Sequence, residues 1–243
     1  MSLSGMIDLH CHYVPAVDDG VRDFAQGVAL CQALASIGYQ TVVATPHIRN
    51  GMFDNRKADL VRAFEAFAQE AKEHPKMPGL GLGAEHFCDD VFFTLFARGD
   101  TLPYPGGHAA LIELPPDRMP VNIEALLFRL SVRGVKPVIA HPERYTPLFR
   151  DSEPLTSLVE RGVLAQLDLM SLTGKYGRKA EKAAERMLDE GLYYLACSDS
   201  HKPADVELVQ HGIARLVELL GENEAQLLLC EHPRSILEGT VQD

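Results

Sequence analysis

Short apolar runs rich in β-branched residues alternate along the chain with longer stretches whose apolar residues recur at helical spacing. Seven of the short runs predict strands: MIDLHCH (6–12), QTVVATPH (40–47), GLGLGAEHF (79–87), AALIELP (109–115), KPVIAHPER (136–144), VLAQLDL (163–169) and LYYLACSDSH (192–201). The longer stretches predict helices over 24–38, 57–74, 122–134 and 177–191, three of which end at a glycine. The pattern is typical of an α/β protein.

This alternation favours parallel strands joined by crossover helices. Both an open doubly wound sheet and a closed barrel fit the pattern, and the length of 243 residues resembles that of a (β/α) barrel, for which about 250 residues is typical. We expect a single domain over residues 6–243, with residues 1–5 (MSLSG) as a tag or irregular start outside the fold. The segment Gly99–Gly107 is expected to be a surface loop rather than a domain boundary.

Composition narrows the class of protein. Apolar residues make up 46% of the chain, and the formal net charge of −11 argues against a general nucleic-acid binder. We find neither an apolar run long enough to span a membrane nor a secretion signal. The five cysteines form no CxxC pair and are odd in number, which is typical of a reduced, cytoplasmic protein.

Polar side chains stand at the carboxyl ends of most predicted strands. They are His10 and His12, His47, Glu85, Glu113, His141, and Asp199 with His201. In α/β folds these strand ends meet at one rim, where ligands bind. Because residues i and i+2 of a strand face the same way, each of the two pairs is expected to present both side chains to one side.

Imidazoles and carboxylates without clustered thiolates suit ions such as Zn, Mn or Fe, and eight such groups exceed what one ion needs. We therefore expect two or three bridged ions, which can activate a water and hold a phosphoryl oxygen. Taken singly, every histidine of the set except His141 is better explained by an ordinary structural role. Taken together, at six strand ends, the set makes that explanation improbable. His74, His211 and His232 fall outside the pattern, whereas His86 and His108 are ambiguous; His86 should point away from its neighbour Glu85.

The ordered motifs HCHYVPAVDDG, ATPHIRNGMF, GAEHF, IELP, IAHPERY and CSDSHKP resemble the polymerase and histidinol phosphatase (PHP) superfamily. Within it, the chain is similar to the bacterial tyrosine-protein phosphatases of capsule and exopolysaccharide loci. The resemblance extends from Met6 to about Gly239. It implies a distorted seven-stranded (β/α)7 barrel, the PHP fold, with a trinuclear metal site that is commonly manganese-dependent.

By motif match, the resemblance implies a set of metal ligands: His10, His12, His47, Glu85, Glu113, His141, Asp199 and His201. It also implies that Asp19 shuttles a proton near the metals and that Arg144 grips the phosphate. Arg49 is a second candidate for binding the anion. The hypothesis that follows is a phosphomonoesterase in which a metal-activated water attacks phosphorus in line, with charge neutralised by the metals and Arg144.

A cysteine-dependent phosphatase is excluded, because the position six residues after each cysteine holds Val17, Ile37, Thr94, Pro203 or Ile236 and never arginine. The resemblance implies that the partner is the phosphotyrosine tail of a membrane-anchored tyrosine kinase, and it makes a homo-oligomer conceivable; the cytoplasmic location is expected from the cysteine pattern. Met52 and Phe53, expected to be exposed, are candidates for holding that tail. Two alternatives stay open: a small-molecule phosphatase such as histidinol phosphatase, and an inert metal-stabilised PHP module that only binds a partner.

Overall fold

Nine short parallel strands form the centre of the molecule in the computed structural model, which describes residue 3 and residues 5–241. The strands are β1 (Met6–Cys11), β2 (Tyr39–Ala44), β3 (His47–Ile48), β4 (Gly79–Leu82), β5 (Glu85–Phe87), β6 (Ala109–Glu113), β7 (Lys136–Ala140), β8 (Leu164–Asp168) and β9 (Leu195–Cys197). They form a three-stranded sheet in the order β1-β2-β4 and a six-stranded sheet in the order β3-β5-β6-β7-β8-β9. The predicted α/β architecture with parallel sheets is confirmed.

Helices connect the strands: α1 (Phe24–Ser36), α2 (Lys57–Ala71), α3 (Asp90–Arg98), α4 (Ile123–Ser131), α5 (Glu153–Val159), α6 (Arg178–Asp189), α7 (Asp205–Leu220), α8 (Glu222–Gln226) and α9 (His232–Glu238). The four predicted helices are α1, α2, α4 and α6. Local signals set their ends: the Asp23 side chain accepts the Gln26 N–H at the start of α1, and Gly38, with φ +113, follows its end.

Two of the predicted strands are each divided in two. The first divides into β2 and β3 at Thr45 and Pro46, because proline has no N–H to contribute to a sheet. The second divides into β4 and β5 at Gly83 and Ala84. Backbone hydrogen bonds cross the breaks, from Gly83 N to Ala44 O at 2.8 Å and from Glu85 N to Pro46 O at 3.2 Å. The backbone therefore passes from one sheet to the other at both breaks.

The segment after β9 pairs with the end of β1. Asp199 N donates to His10 O, and His12 N donates to Ser200 O, both at 2.9 Å. As a result the carboxyl ends of β1 and β9, which belong to different sheets, lie side by side. This contact brings the first and last predicted ligand motifs together.

The segment Gly99–Gly107 is a loop, but the prediction that it lies on the surface is wrong for its centre. Thr101, Leu102 and Tyr104 are buried there. At the start of the chain, Leu3 is half-buried and packs against the core, whereas the residues 1, 2 and 4 of the proposed tag lie outside the described part. Within the described residues, no helix is both long and apolar enough to cross a membrane.

Candidate metal centre

All eight predicted ligands meet at one edge of the sheets, where His47 and Glu85 begin β3 and β5 just after the breaks that follow β2 and β4. Their ligand atoms form overlapping groups in which every atom lies within 4.8 Å of the others. The groups are His12, Asp19, His47 and His201; His10, His12 and Glu85; His10, His141 and Asp199; and His47, Glu85 and Glu113. Asp19, predicted only as a proton shuttle, joins the first group as a possible ligand.

Glu85, at the start of β5, is the centre of the cluster. Its Oε2 lies 3.0 Å from His47 Nδ1, 3.2 Å from His10 Nε2 and 3.8 Å from His12 Nε2. Its Oε1 lies 3.0 Å from His141 Nε2. One buried carboxylate thus faces four imidazoles that come from three strand ends, which is the convergence that the sequence predicted.

The strand β1 supplies two imidazoles whose outer nitrogens are already engaged. His10 Nδ1 lies 2.6 Å from Gln166 Oε1, and His12 Nδ1 lies 2.7 Å from Asp18 Oδ2. Because the oxygens of the amide and of the ionised carboxylate can only accept, each Nδ1 donates a hydrogen to its partner, and each Nε2 faces the cluster. Both Nε2 atoms point toward Asp199 Oδ1, at 3.2 Å from His10 and 3.3 Å from His12.

Asp199 and His201 reach the cluster by a different route from the one predicted. The strand β9 ends at Cys197, so the alternation of a strand does not place them. Asp199 instead adopts a left-handed conformation with φ +46, as does His141 with φ +34 just after β7. A non-glycine residue rarely adopts this conformation, and such residues concentrate at functional sites.

Asp19 and His201 form the outer edge of the cluster. Asp19 is 58% exposed, and its Oδ1 lies 3.4 Å from His47 Nε2 and 3.5 Å from His201 Nε2. The hydrogen bond from His201 lowers the pKa of Asp19. Glu113, on the other side of His47, is mostly buried, and burial together with Glu85 raises its pKa to about 7.

Charge within the cluster is divided unevenly. Burial lowers the pKa of His10, but Asp199 and Glu85 outweigh it and raise that pKa to about 10. His141 is the opposite case: burial and the neighbouring Arg144 lower its pKa to about 4. Burial would raise the pKa of Glu85, yet the imidazoles of His10 and His47 hold it well below its usual range. In the protein alone, protons on imidazoles therefore balance the buried carboxylates.

The residues fit divalent cations. Three buried atoms of the set have no hydrogen-bond partner among the described residues, namely His12 Nε2, Glu113 Oε2 and His141 Nδ1. Buried polar atoms are normally paired, so such orphans indicate a missing ligand. Imidazole and carboxylate donors suit Zn, Mn or Fe, and a cation would displace the proton from an imidazole such as His10. The clustered histidines and carboxylates can bind metal ions.

The two predicted anion-binding arginines flank the cluster. Arg144 Nη1 lies 2.5 Å from Asp199 Oδ2 and 3.5 Å from Asp168 Oδ2, and its guanidinium stacks 4.4 Å from the Tyr176 ring centre. Arg49 is held more loosely, with Nη1 3.8 Å from Glu113 Oε2 and the guanidinium 4.0 Å from the ring centre of Phe87.

A cleft of about 530 Å³ opens beside Arg144. Its walls include Tyr176 and the cationic residues Arg22, Lys175 and Lys202, together with carboxylates, and Lys175 Nζ lies 3.3 Å from Asp205 Oδ1, so the cleft carries both signs of charge. The expectation for the opposite rim is partly wrong: Met52 is exposed, but Phe53 is half-buried and stacks on His47 with ring centres 5.1 Å apart.

The remaining histidines lie outside the cluster. The ring of His86 is buried in the core, with Nδ1 3.2 Å from Leu111 O, and Nε2 accepts the Leu102 N–H at 3.2 Å. His232 stacks on Tyr194, and the other three are exposed: His74, His108 and His211. These placements agree with the sequence-based interpretation.

Three residues around the cluster were missed by sequence reasoning: Asp18, Gln166 and Asp168. Asp18 precedes Asp19 in the same DDG motif, where only the second aspartate was considered. Gln166 and Asp168 are an i, i+2 pair at the end of β8, the one predicted strand whose end was not searched for site residues. The spacing argument used for His10 and His12 would have found them.

The fold and the site together define a class: an α/β protein with parallel sheets and a candidate polynuclear metal centre at their carboxyl ends. The chain belongs to the family described as capsular polysaccharide synthesis, CpsB/CapC, whose model matches residues 6–238. This finding confirms the resemblance that the motifs indicated.

Individual relatives agree with this assignment. The tyrosine-protein phosphatase YwqE of Bacillus subtilis is 33% identical over 81% of this chain and 77% of its own length. The tyrosine-protein phosphatase CpsB of Streptococcus pneumoniae is 27% identical over 96% of this chain and 98% of its own. One chain from the crystal structures of YwqE from Bacillus subtilis and CpsB from Streptococcus pneumoniae, described as unique metal-dependent tyrosine phosphatases, matches with a TM-score of 0.90 at 29% identity, covering 98% of this chain and 96% of that one.

Proposed function

We propose that this protein is a metal-dependent phosphomonoesterase that hydrolyses phosphotyrosine in proteins. The single observation that carries the proposal is the convergence of four imidazoles on the buried Glu85 carboxylate. Membership of the CpsB/CapC family and the similarity to named tyrosine-protein phosphatases support the reaction class.

The finer fold proposed is a distorted seven-stranded (β/α)7 barrel of the PHP type. Counting β2 with β3, and β4 with β5, as one interrupted strand each gives seven strands. The hydrogen bonds between the segment after β9 and the end of β1 support closure of the ring. In such a barrel the catalytic groups belong at the carboxyl ends of the strands, where the cluster lies.

The proposed cofactors are two or three divalent ions, manganese first, with iron or zinc as alternatives. The ligands would be His10, His12, His47, Glu85, Glu113, His141, Asp199 and His201, with Asp19 added by its position among them. Such ions would polarise the phosphate oxygens and lower the pKa of a water molecule. Gln166 and Asp18 would hold the His10 and His12 rings with Nε2 directed inward.

Residues of the chain would supply the remaining steps. Arg144 would bind the equatorial phosphate oxygens, where a loose phosphoryl transition state keeps its charge, and Arg49 would contact the anion from the opposite side. Asp19, exposed at the mouth and within 3.5 Å of His201 Nε2, would relay a proton to the leaving phenol oxygen. A phenol with a pKa near 10 needs less such help than an aliphatic alcohol does.

The proposed substrate is the phosphotyrosine tail of a membrane-anchored tyrosine kinase that takes part in capsule or exopolysaccharide synthesis. The open cleft beside Arg144 supports a substrate presented on a peptide rather than one enclosed in a deep pocket. A cytoplasmic location is proposed with it, supported by the five cysteines, all buried free thiols.

The test is turnover by protein loaded with Mn²⁺, comparing a phosphotyrosine peptide with histidinol phosphate, while bound metal is measured. We expect a kcat/KM for the peptide at least about tenfold higher, a difference of about 1.4 kcal/mol in transition-state binding. A preference for histidinol phosphate would favour a small-molecule phosphatase. Full metal occupancy without turnover of either compound would indicate a binding module.

A further inference from the structure

Glu143 is a fully buried carboxylate that the proposed chemistry does not use. It lies in a short 3₁₀ turn, Pro142–Arg144, directly after His141. Its Oε1 accepts the backbone N–H of Asp168 at 3.0 Å and the hydroxyl of Ser171 at 2.7 Å. Its Oε2 accepts the Tyr193 hydroxyl at 2.9 Å. Such a group is costly to bury, and three donors offset that cost.

These three donors come from two segments: the end of β8 with the 3₁₀ helix that follows it, and the residues before β9. Asp168 ends β8, Ser171 lies in the 3₁₀ helix Leu169–Thr173, and Tyr193 precedes β9. The carboxylate therefore connects the turn after β7 to the end of β8 and to the segment before β9. A leucine could fill the same volume, so packing alone gives no reason for a carboxylate at this position.

The same network reaches the guanidinium of Arg144. Asp168 is fixed on two sides: its backbone N–H donates to Glu143, and its Oδ1 accepts the Met170 N–H at 2.9 Å. The other oxygen of Asp168 faces Arg144 Nη1 at 3.5 Å. Asp199, whose Oδ2 lies 2.5 Å from the same Nη1, is the closer partner of Arg144, and Asp168 is a second carboxylate on this guanidinium, held in place by Glu143. Glu143 and Arg144 are also neighbours in the 3₁₀ turn.

We propose that Glu143 is a positioning residue that holds Asp168, and through it Arg144, in the orientation that binds the substrate phosphate. This inference rests on the proposed function, in which Arg144 contacts the phosphate. It predicts that removal of Glu143 weakens phosphate binding and turnover without removing metal.

The experiment is a double-variant cycle on Mn-loaded protein with Glu143→Ala, Arg144→Ala and the two combined. The readouts are kcat/KM for a phosphotyrosine peptide, bound metal, and the Kd of inorganic phosphate by calorimetry, which needs no turnover. We expect Glu143→Ala to lower kcat/KM by about 10- to 100-fold, as misplacement of a binding group does. The double variant should lose no more than Arg144→Ala alone, within about twofold, because both changes remove one function.

Two neighbouring tyrosines provide a milder test in case Glu143→Ala does not fold. Tyr193→Phe removes one hydrogen bond to Glu143, whereas Tyr194→Phe makes the same chemical change at a residue that bonds Ser235 Oγ on α9. We expect a loss of about fivefold in kcat/KM for Tyr193→Phe, the size of one hydrogen bond, and no change for Tyr194→Phe. Glu143→Gln, which keeps an acceptor oxygen, should restore most of the activity lost in Glu143→Ala.

The outcomes separate this inference from the proposed function. Three results would each overturn the role of Glu143 without affecting the proposed phosphatase function. They are losses of kcat/KM that multiply in the double variant, equal effects of the two tyrosine changes, and loss of metal in the Glu143 variants. Wild-type kcat/KM and phosphate affinity in Arg144→Ala would overturn the role of Arg144 and the inference with it. Absence of turnover in the wild type would overturn the proposed function, and the phosphate affinities would then decide the role of Glu143.

Discussion

The two faces of β5 carry neighbouring residues with opposite surroundings. Glu85 points into the cluster, where imidazole nitrogens of four histidines lie within 3.8 Å of its carboxylate. His86, one residue later, points into the core and pairs both ring nitrogens with the backbone, at Leu111 O and Leu102 N. Both side chains are buried.

The difference shows that burial alone does not define a site. The core face is complete: His86 is neutral, because burial lowers its pKa to about 4, and each ring nitrogen has a partner. The cluster face is incomplete without cations, because it leaves buried atoms such as His141 Nδ1 and Glu113 Oε2 unpaired. Substitutions on the cluster face should therefore lower the amount of bound metal and the turnover rate, whereas substitutions on the core face should lower the free energy of unfolding.

The largest effect is expected for Glu85→Gln. The change keeps the shape of the side chain but removes the charge that four imidazoles face, so we expect loss of at least one ion and a fall in kcat of about 10³-fold or more. Metal analysis, turnover of p-nitrophenyl phosphate with added Mn²⁺ and circular dichroism would measure this. Addition of Mn²⁺ should raise the melting temperature of the wild type by more than that of the variant. Equal shifts would contradict a metal-binding role for Glu85.

His141→Ala should have the next largest effect. It removes one ligand at the end of β7, so we expect loss of one ion and of most activity, about 100-fold or more, in a protein that remains folded. Bound metal per chain and the far-ultraviolet circular dichroism spectrum would check both parts. Global unfolding would show that His141 belongs with the core face, contrary to its position.

Arg144→Ala tests the rim of the cluster, where a charge adjoins the ligands without belonging to them. We expect full metal occupancy with kcat/KM for a phosphotyrosine peptide reduced by about 100-fold, because the guanidinium acts on the phosphate. Arg49→Ala is the matched control, since Arg49 is more loosely held at the opposite rim. Its kcat/KM should fall less than that of Arg144→Ala. Metal loss in Arg144→Ala would mean that its contact with Asp199 serves the metal centre instead.

The convergence of the ligands could be predicted from the sequence, because this convergence depends on only one property of the fold. Parallel strands that alternate with helices present their carboxyl ends at a common edge, so residues at strand ends such as Glu113 and His141 meet whatever the conformation of the loops. The details of the backbone were beyond that argument. Asp199 lies in a loop with φ +46, and no pattern of apolar residues encodes that conformation.

The hydrogen-bond partners of the ligand histidines also could not be predicted from the pattern of apolar and polar residues. The contacts between His10 and Gln166 and between His12 and Asp18 depend on register between strands and on the shape of the loop before Gly20. Interruption of the strand at Pro46 could be predicted from the missing N–H of proline. The stacking of Phe53 on His47 could not, because it depends on how the turn Arg49–Phe53 folds back on itself.

The smallest effect is expected on the core face, from His86→Gln, which keeps a donor and an acceptor but cannot titrate. Bound metal and kcat should stay within about twofold of the wild type, and unfolding free energy at pH 7 should fall by about 1–2 kcal/mol from less suitable hydrogen bonds. The pH dependence gives the sharper result. The pKa of His86 is about 4 in the folded protein against about 6.5 unfolded, so the unfolded chain binds more protons between these values. Wild-type stability therefore falls as the pH decreases from 6.5 to 4, and this contribution is absent in the variant. Chemical denaturation of metal-free protein at pH 7, 6 and 5 would measure it. If the unfolding free energies of the wild type and of His86→Gln change with pH in parallel, His86 titrates normally, and the two faces of β5 differ less than their contacts indicate.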